Sequence, residues 1–240
     1  MTEWFEQWFG EEYLNLYPHR DETEAEQVVA LIDSITPLRE RWVLDLACGP
    51  GRHARGLAAR GARVVGFDLS MPLLARAQRR TGTTVRLVRG DMRHLPFAHA
   101  SFDITVNLFT SFGYFSDDRQ HEAVIREVAA LLRRGGSFVL DYFNAAQVRA
   151  TLVPHEERVV GSQRVVIERR ISEDDRFVIK EMHLLDDGRS FVERVRMFAA
   201  EEMVELLTAA GLRVRHRLGD YDGSPASDDS PRLILVAERT

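Results

Sequence analysis

The sequence predicts an α/β protein built on a mostly parallel sheet, and three observations predict it. Apolar, strand-like runs alternate with helix-like spacing between residues 42 and 143. Asp45, Asp68 and Asp91 follow three of these runs at equal intervals of 23 residues, the length of one crossover between parallel neighbours. The turn Cys48-Gly49-Pro50-Gly51 stands directly after the first run, where a buried strand hands over to a helix.

The first strand reads Val43-Leu44-Asp45-Leu46, apolar on both sides as a strand covered by two layers requires. Gly49 and Gly51 lack a Cβ, so the backbone can turn sharply and approach a ligand. The helix expected from about 52 to 60 aims its free N–H groups and positive dipole end at the same spot. Asp45 is the odd residue, because a charge near the end of an apolar strand is costly without a partner. The second strand, Val64-Val65-Gly66-Phe67, ends at Asp68, where a carboxylate suits ribose hydroxyls. Ser70 caps the next helix, expected over 71–81, with Pro72 in its first turn. Val85, Leu87 and Val88 form a third strand ahead of Gly90-Asp91-Met92. That acid and thioether suit an adenine amine and ring, or else form a surface turn. All three acids are expected at the carboxyl edge of the sheet, where open α/β folds bind ligands.

A fourth strand covers 102–107 and ends at Asn107. Residues 108–115 follow as an apolar loop suited to a pocket floor. A helix from Asp117 or Asp118 to Arg134 stops at Gly135-Gly136, and 137–143 form the fifth strand. Alternation without helical spacing then marks 157–198 as three antiparallel strands, with turns at Glu173-Asp174-Asp175 and Asp186-Asp187-Gly188. They form either a wall of the site or a dimer surface. A helix over 199–210 and a hairpin of 212–218 with 232–238 complete the chain. Upstream, Trp4, Phe5, Trp8 and Phe9 share one helical face in a segment that is either a tether or a lid. A helix follows to about Ser34, and Pro37 breaks it.

The 240 residues are 45% hydrophobic, enough for one buried domain with an insertion. A net charge of -5 with scattered arginines argues against a nucleic-acid partner. One cysteine, Cys48, forbids an internal disulfide and fits a reducing cytoplasm; it reads as turn filler rather than a nucleophile. No run approaches the roughly 18 apolar residues of a membrane span, and the acidic, aromatic start is unlike a signal peptide. No cluster has metal-ligand spacing, so no metal is expected.

These residues resemble a class I S-adenosylmethionine-dependent methyltransferase, of a bacterial small-molecule branch with an inserted antiparallel sheet. Asp45-Leu46-Ala47-Cys48-Gly49-Pro50-Gly51 is similar to the family's first motif, with Ala47 where glycine is usual. Asp68, Gly90-Asp91-Met92 and Leu132-Arg133-Arg134-Gly135-Gly136 match later motifs in order. Residues 107–115 and Gly219-Asp220-Tyr221-Asp222-Gly223 resemble the branch. The resemblance implies a Rossmann-like, seven-stranded, mostly parallel sheet with helices on both faces, an antiparallel last strand and a small β insertion. The division expected is 1–40 as a helical lid, 41–153 with 199–240 as the core, and 154–198 as the insertion. It also implies S-adenosylmethionine as donor, S-adenosylhomocysteine as product, and a small molecule methylated on N or O, less readily on C. Donor-binding residues are then Arg20, Asp45, Ala47, Gly49, Gly51, Asp68, Leu69, Gly90, Asp91, Met92 and Asn107. Catalytic candidates are Tyr17, His19, Asn107 and Tyr142; Ser111, Tyr114, Asn144 and Tyr221 are further acceptor-site candidates, and His53 reads as helix-surface filler. A homodimer through the insertion is expected as an option.

Two other classes fit parts of the pattern. Gly49-x-Gly51-x-x-Ala54 with Asp68 downstream also satisfies the dinucleotide fingerprint of an NAD-dependent oxidoreductase. Asp45 and Asp91 count against it, since both would repel a pyrophosphate at that edge. A binding protein that keeps the nucleoside site without turnover fits the same motifs.

Overall fold

The computed structural model describes residues 3–17 and 22–240. Two short helices open the chain, α1 (Trp4–Trp8) and α2 (Glu11–Leu16), followed by α3 (Glu22–Ile35). The core then alternates as the sequence spacing requires: β1 (Trp42–Leu46), α4 (Arg52–Ala59), β2 (Arg63–Asp68), α5 (Met71–Thr81) and β3 (Val85–Arg89). It continues with β4 (Phe102–Asn107), α6 (Asp118–Leu131), β5 (Leu132–Phe143) and α7 (Ala145–Thr151). The insertion contributes β6 (His155–Val160), β7 (Gln163–Ile171), β8 (Phe177–Leu184) and β9 (Ser190–Arg196). The chain ends with α8 (Ala200–Ala209), β10 (Leu212–Leu218) and β11 (Arg232–Arg239).

Side-chain caps set several of these boundaries. Ser70 Oγ accepts from Leu73 N at 3.2 Å to start α5, and Asp117 accepts from Arg119 N at 3.0 Å to start α6. Asn144 accepts from Ala146 N at 3.1 Å to start α7.

The main sheet has seven strands in the order β10-β11-β5-β4-β1-β2-β3. Five are parallel; β11 runs antiparallel to β5 and β10 antiparallel to β11. The chain grows from β1 to β3 in one direction, then returns to β4 on the other side of β1. That reversal places a crevice at the carboxyl ends of β1 and β4, the usual ligand position in such sheets. In register, Asp45 stands between Gly66 of β2 and Val106 of β4, and Asp68 beside Arg89.

The core fills both faces. Leu44, Leu46, Phe67, Val128 and Leu140 pack on one side. Val28, Val29, Ile32, Leu57 and Ile104 pack on the other. α3, within the expected 1–40 segment, is therefore part of the core layer.

The insertion is a sheet of four strands, β6-β7-β8-β9, rather than three. A turn at Gly161, with φ +62°, splits the first expected strand in two. Val165, Ile167, Met182 and Leu184 point inward and enclose Trp8, Tyr13 and Leu16. The opening aromatics are thus buried between the second sheet and the core. β5 also begins earlier than expected, at Leu132, with a register shift after Phe102 that absorbs Gly135 and Gly136. Among the described residues no helix is long and apolar enough to cross a membrane.

Candidate active site

The turn after β1 is wound through three left-handed residues, Ala47 (φ +61°), Gly49 (φ +54°) and Gly51 (φ +79°). The two glycines serve different purposes. A Cβ on Gly49 would meet only Leu73 Cδ1, at 4.0 Å, so this residue offers bare backbone to the space in front of the sheet. A Cβ on Gly51 would stand 3.0 Å from Ala77 Cβ; it is small so that α4 and α5 can approach, and it does not line the cavity. Of the two glycines expected to approach a ligand, only Gly49 borders the cavity.

In front of that turn lies a cavity of about 440 Å³. Ala47, Gly49, Asp68, Leu69, Gly90, Asp91 and Met92 line it from the sheet edge, all of them residues expected from sequence. Phe5, Phe9 and Tyr13 cover it from α1, the turn after it and α2, and Ser111, Tyr114 and Phe115 close the far side. The size falls in the range of small-molecule pockets, and the wall mixes aromatic surface with a few polar groups.

Asp68 organises the polar part. Its Oδ2 accepts from Gly49 N at 2.8 Å and its Oδ1 from Ser70 N at 2.8 Å, so β2 grips the glycine turn. Burial raises its pKa against the opposing pull of those N–H groups. Asp91 holds Arg93, accepting from its Nε at 3.0 Å, and that guanidinium bond keeps its pKa low against burial. Gly90 has no room for a side chain, since a Cβ would press into the Phe67 ring at 2.6 Å.

Asp45 stands behind this wall rather than in it. It is buried, receives the Ala54 backbone N–H at the start of α4, and leaves Oδ2 with no partner among the described residues. Burial, then the nearby Asp68 charge, push its pKa up to about 7. The three acids therefore share one edge, but only Asp68 and Asp91 reach the cavity.

A second cavity, of about 310 Å³, opens on the β4–β5–β11 side. Phe109, Thr110, Phe143 and Arg232 form its core wall, and Arg169, Lys180 and Glu193 face it from the second sheet. Phe9 and Tyr114 border both cavities, their rings stacked at 5.5 Å between centroids.

The catalytic candidates fare differently. His19 and Arg20 lie outside the described residues. Tyr142 is fully buried and donates its hydroxyl to the Arg196 carbonyl, with burial pushing its pKa up; it lines neither cavity. Asn107 is buried too, donating from Nδ2 to Leu46 O at 3.0 Å, and so ties β4 to β1 behind the wall. Tyr17 packs on the second sheet, accepting from Lys180 Nζ and contacting Glu193 Oε1 at 3.5 Å. Asn144 clamps the 227–230 loop, and Tyr221 donates to Asp141 Oδ2 at 2.9 Å. Ser111 and Tyr114 do line the first cavity. His53 is buried, contrary to the surface role expected of it, and Cys48 is buried with its pKa raised by burial, as filler should be.

Phe9, Lys180, Glu193 and Arg232 were not singled out from sequence as site residues. A signal existed for two of them. Lys180 and Glu193 occupy the same strand phase as Val178, Met182 and Val195, where an inward charge is anomalous. Among the described residues, Glu168, Glu181 and His183 bring ligand-type atoms within 4.8 Å of one another, but none lines either cavity.

A nucleoside donor with a cationic group fits these residues. Gly49 leaves its cradle open, and the Asp45 Oδ2 lies buried behind the turn with no partner among the described residues. Comparison with known proteins points the same way. Residues 43–136 match the family described as a methyltransferase domain. The chain is 30% identical to the cypemycin N-terminal methyltransferase of a Streptomyces species, over 88% of this chain and 89% of that protein. It superposes on the CcbJ methyltransferase of Streptomyces caelestis with a TM-score of 0.83, 19% identity and coverage of 97% and 98%. It superposes on CalS10 of Micromonospora echinaspora, an amino pentose methyltransferase solved with S-adenosylmethionine bound, with a TM-score of 0.72, 26% identity and coverage of 95% and 97%.

Proposed function

From the premise that the chain belongs to the S-adenosylmethionine-dependent methyltransferases, we propose that it methylates an amine nitrogen of a small molecule seated in the β4–β5–β11 cavity. The carrying observation is the pair of cavities that meet at Phe9 and Tyr114, one of them built from the donor motifs. An amine is favoured because one relative is named for an N-terminal methylation and one structural neighbour for an amino sugar.

The donor supplies a methyl group already activated on a sulfonium: the acceptor's lone pair forms the new bond as the S–C pair returns to sulfur, leaving S-adenosylhomocysteine. The protein's task is then to position and to exclude water. Asp68 takes the ribose hydroxyls on its remaining lone pairs, Met92 and Leu69 sandwich the base, and Asp91 presents an acceptor at its edge. Ala47 and Gly49 lie along the amino-acid portion, with Asp45 acting through the turn. Phe5, Phe9 and Tyr13 keep water out. Residues 3–17 thus act as the cover, 22–153 and 199–240 as the core, and 155–196 as the acceptor-side wall. Val159 and Val192, exposed on the outer face of the second sheet, support a homodimer through it. The lone, buried cysteine supports a cytoplasmic setting.

Incubation with methyl-labelled donor and a panel of amines, alcohols and phenols tests the reading. Label in N-methyl products is expected. Label confined to oxygen products, or to macromolecules, overturns it.

A further inference from the structure

On its three strands β7, β8 and β9 the inward face of the second sheet is apolar except for one row. Val165, Ile167, Val178, Met182 and Val195 are its regular occupants. Across it, Arg169 pairs in register with Lys180, and Lys180 with Glu193, placing three charges side by side at the second cavity. Their side chains are only 22%, 17% and 19% exposed. Charges that little exposed need a reason to be there.

Opposite that row, Arg232 begins β11 beside Phe143. Its Nε donates to Asp141 Oδ1, and the other Asp141 oxygen is taken by Tyr221 OH at 2.9 Å and Phe109 N at 2.8 Å. The Phe109 and Tyr221 rings each lie 5.3 Å from the guanidinium carbon. The fork is therefore fixed in place, yet Nη2 is buried with no partner among the described residues. A planar cation that is held rigid at the wall of a largely apolar cavity matches a carboxylate.

The local charge balance favours an anion as well. Glu156 answers Arg169 at 2.6 Å, Glu193 answers Lys180 at 3.3 Å, and Asp141 answers Arg232. Arg158, in phase with Glu156 on the same face, has no ion pair among the described residues and adds a positive charge that acts on Lys180. Burial, then the Arg169 and Arg158 charges, push the Lys180 pKa down against the pull of Glu193. The rest of the wall, including Trp4, Phe9, Val148 and Leu152, suits an apolar body.

We propose that the methyl acceptor is an amino acid in the broad chemical sense, a compact and largely apolar amine that also bears a carboxylate, with Arg232 as the residue that anchors the carboxylate. The assignment rests on the proposed acceptor cavity and narrows its substrate class.

The test uses the full-length protein with and without saturating S-adenosylhomocysteine, and two probes of equal shape, 3-phenylpropanoate and 3-phenylpropanamide. Calorimetry is expected to show the acid binding at least tenfold tighter than the amide. Arg232→Gln should remove the preference and Arg232→Lys should reduce it. Leu152→Glu, which puts a negative charge into the same cavity without touching Asp141, should also remove it, and covers the case where the Arg232 variants do not fold. Equal affinities, no binding of the acid, or a preference that survives in a folded Arg232→Gln protein overturns the proposal. Failure of S-adenosylhomocysteine itself to bind counts against the donor site instead, and the acid–amide comparison on the free protein still decides the acceptor class.

Discussion

The Asp68 carboxylate accepts the Gly49 amide hydrogen at 2.8 Å, joining the end of β2 to the turn after β1. One side chain thereby fixes the loop proposed to cradle the donor and keeps lone pairs facing the same cavity. Asp68→Ala should weaken binding of S-adenosylhomocysteine by roughly 1–3 kcal/mol, the cost of leaving buried polar groups unanswered. Calorimetry on the folded variant checks this; an unchanged affinity removes Asp68 from the donor site.

Ala47 holds φ at +61°, a conformation costing a residue with a Cβ about 1–2 kcal/mol. Ala47→Gly relieves that strain but frees the unfolded chain by about 0.4–1 kcal/mol. Chemical denaturation should therefore show Ala47→Gly equal to or slightly more stable than the parent. Ala47→Val, with a branched side chain in the same conformation, should lose about 1–3 kcal/mol.

Gly51→Ala should separate stability from donor binding. The added methyl meets Ala77 at 3.0 Å and sits at φ +79°, so the α4–α5 contact must give way. A loss of about 1–3 kcal/mol is expected from the crowding and the backbone strain. Below its melting temperature the variant should still bind S-adenosylhomocysteine within about threefold of the parent. A much larger loss would place Gly51 at the ligand after all.

Two buried groups give opposite pH dependences. Asp45 is raised to about 7, chiefly by burial, so the folded chain keeps a proton that the unfolded chain has released; stability falls as pH rises from about 4 to 7. His121, buried among Phe112, Phe115 and Phe198, is lowered to about 4 by burial, so the unfolded chain takes a proton the folded chain refuses. Stability therefore falls as pH drops from 6.5 to 4. Each slope reaches at most about 1.4 kcal/mol per pH unit. In urea denaturation between pH 4.5 and 6.5 the two contributions oppose each other in the parent, with Asp68, also raised by burial, adding to the fall with rising pH. Asp45→Asn should gain stability with rising pH, and His121→Gln should lose it. Identical slopes in the two variants would refute the assignment.

Tyr142→Phe should act on the fold and spare the reaction. The hydroxyl bonds the Arg196 carbonyl where the second sheet rejoins the core, and the substitution removes that buried bond. About 1–3 kcal/mol of stability should go, with kcat unchanged at temperatures where the variant is folded.

The parallel half of the sheet was legible because strands buried on both faces leave apolar runs, and the first three runs each bring a carboxylate to the sheet edge. The insertion was read less well because Val159, an apolar residue in the first run, is in fact 67% exposed, so its phase concealed the Gly161 turn. Tyr142 and Asp141 are neighbours on β5, and no local pattern says which of them, if either, faces ligand. The reason for Gly51 lies at Ala77 on another helix, a contact only folding creates. Lys180 and Glu193 could have been found by asking which charges break an apolar phase.

Because the Phe9 ring borders both cavities, neither chamber can be filled without touching a wall of the other. With the donor in the first and the acceptor in the second, as proposed, the stacked Phe9–Tyr114 pair is the shared wall through which coupling would run, and whatever affinity the first arrival lends the second would be returned in equal measure. Order of addition, usually a matter for kinetics alone, becomes here a property that replacing a single ring should rewrite.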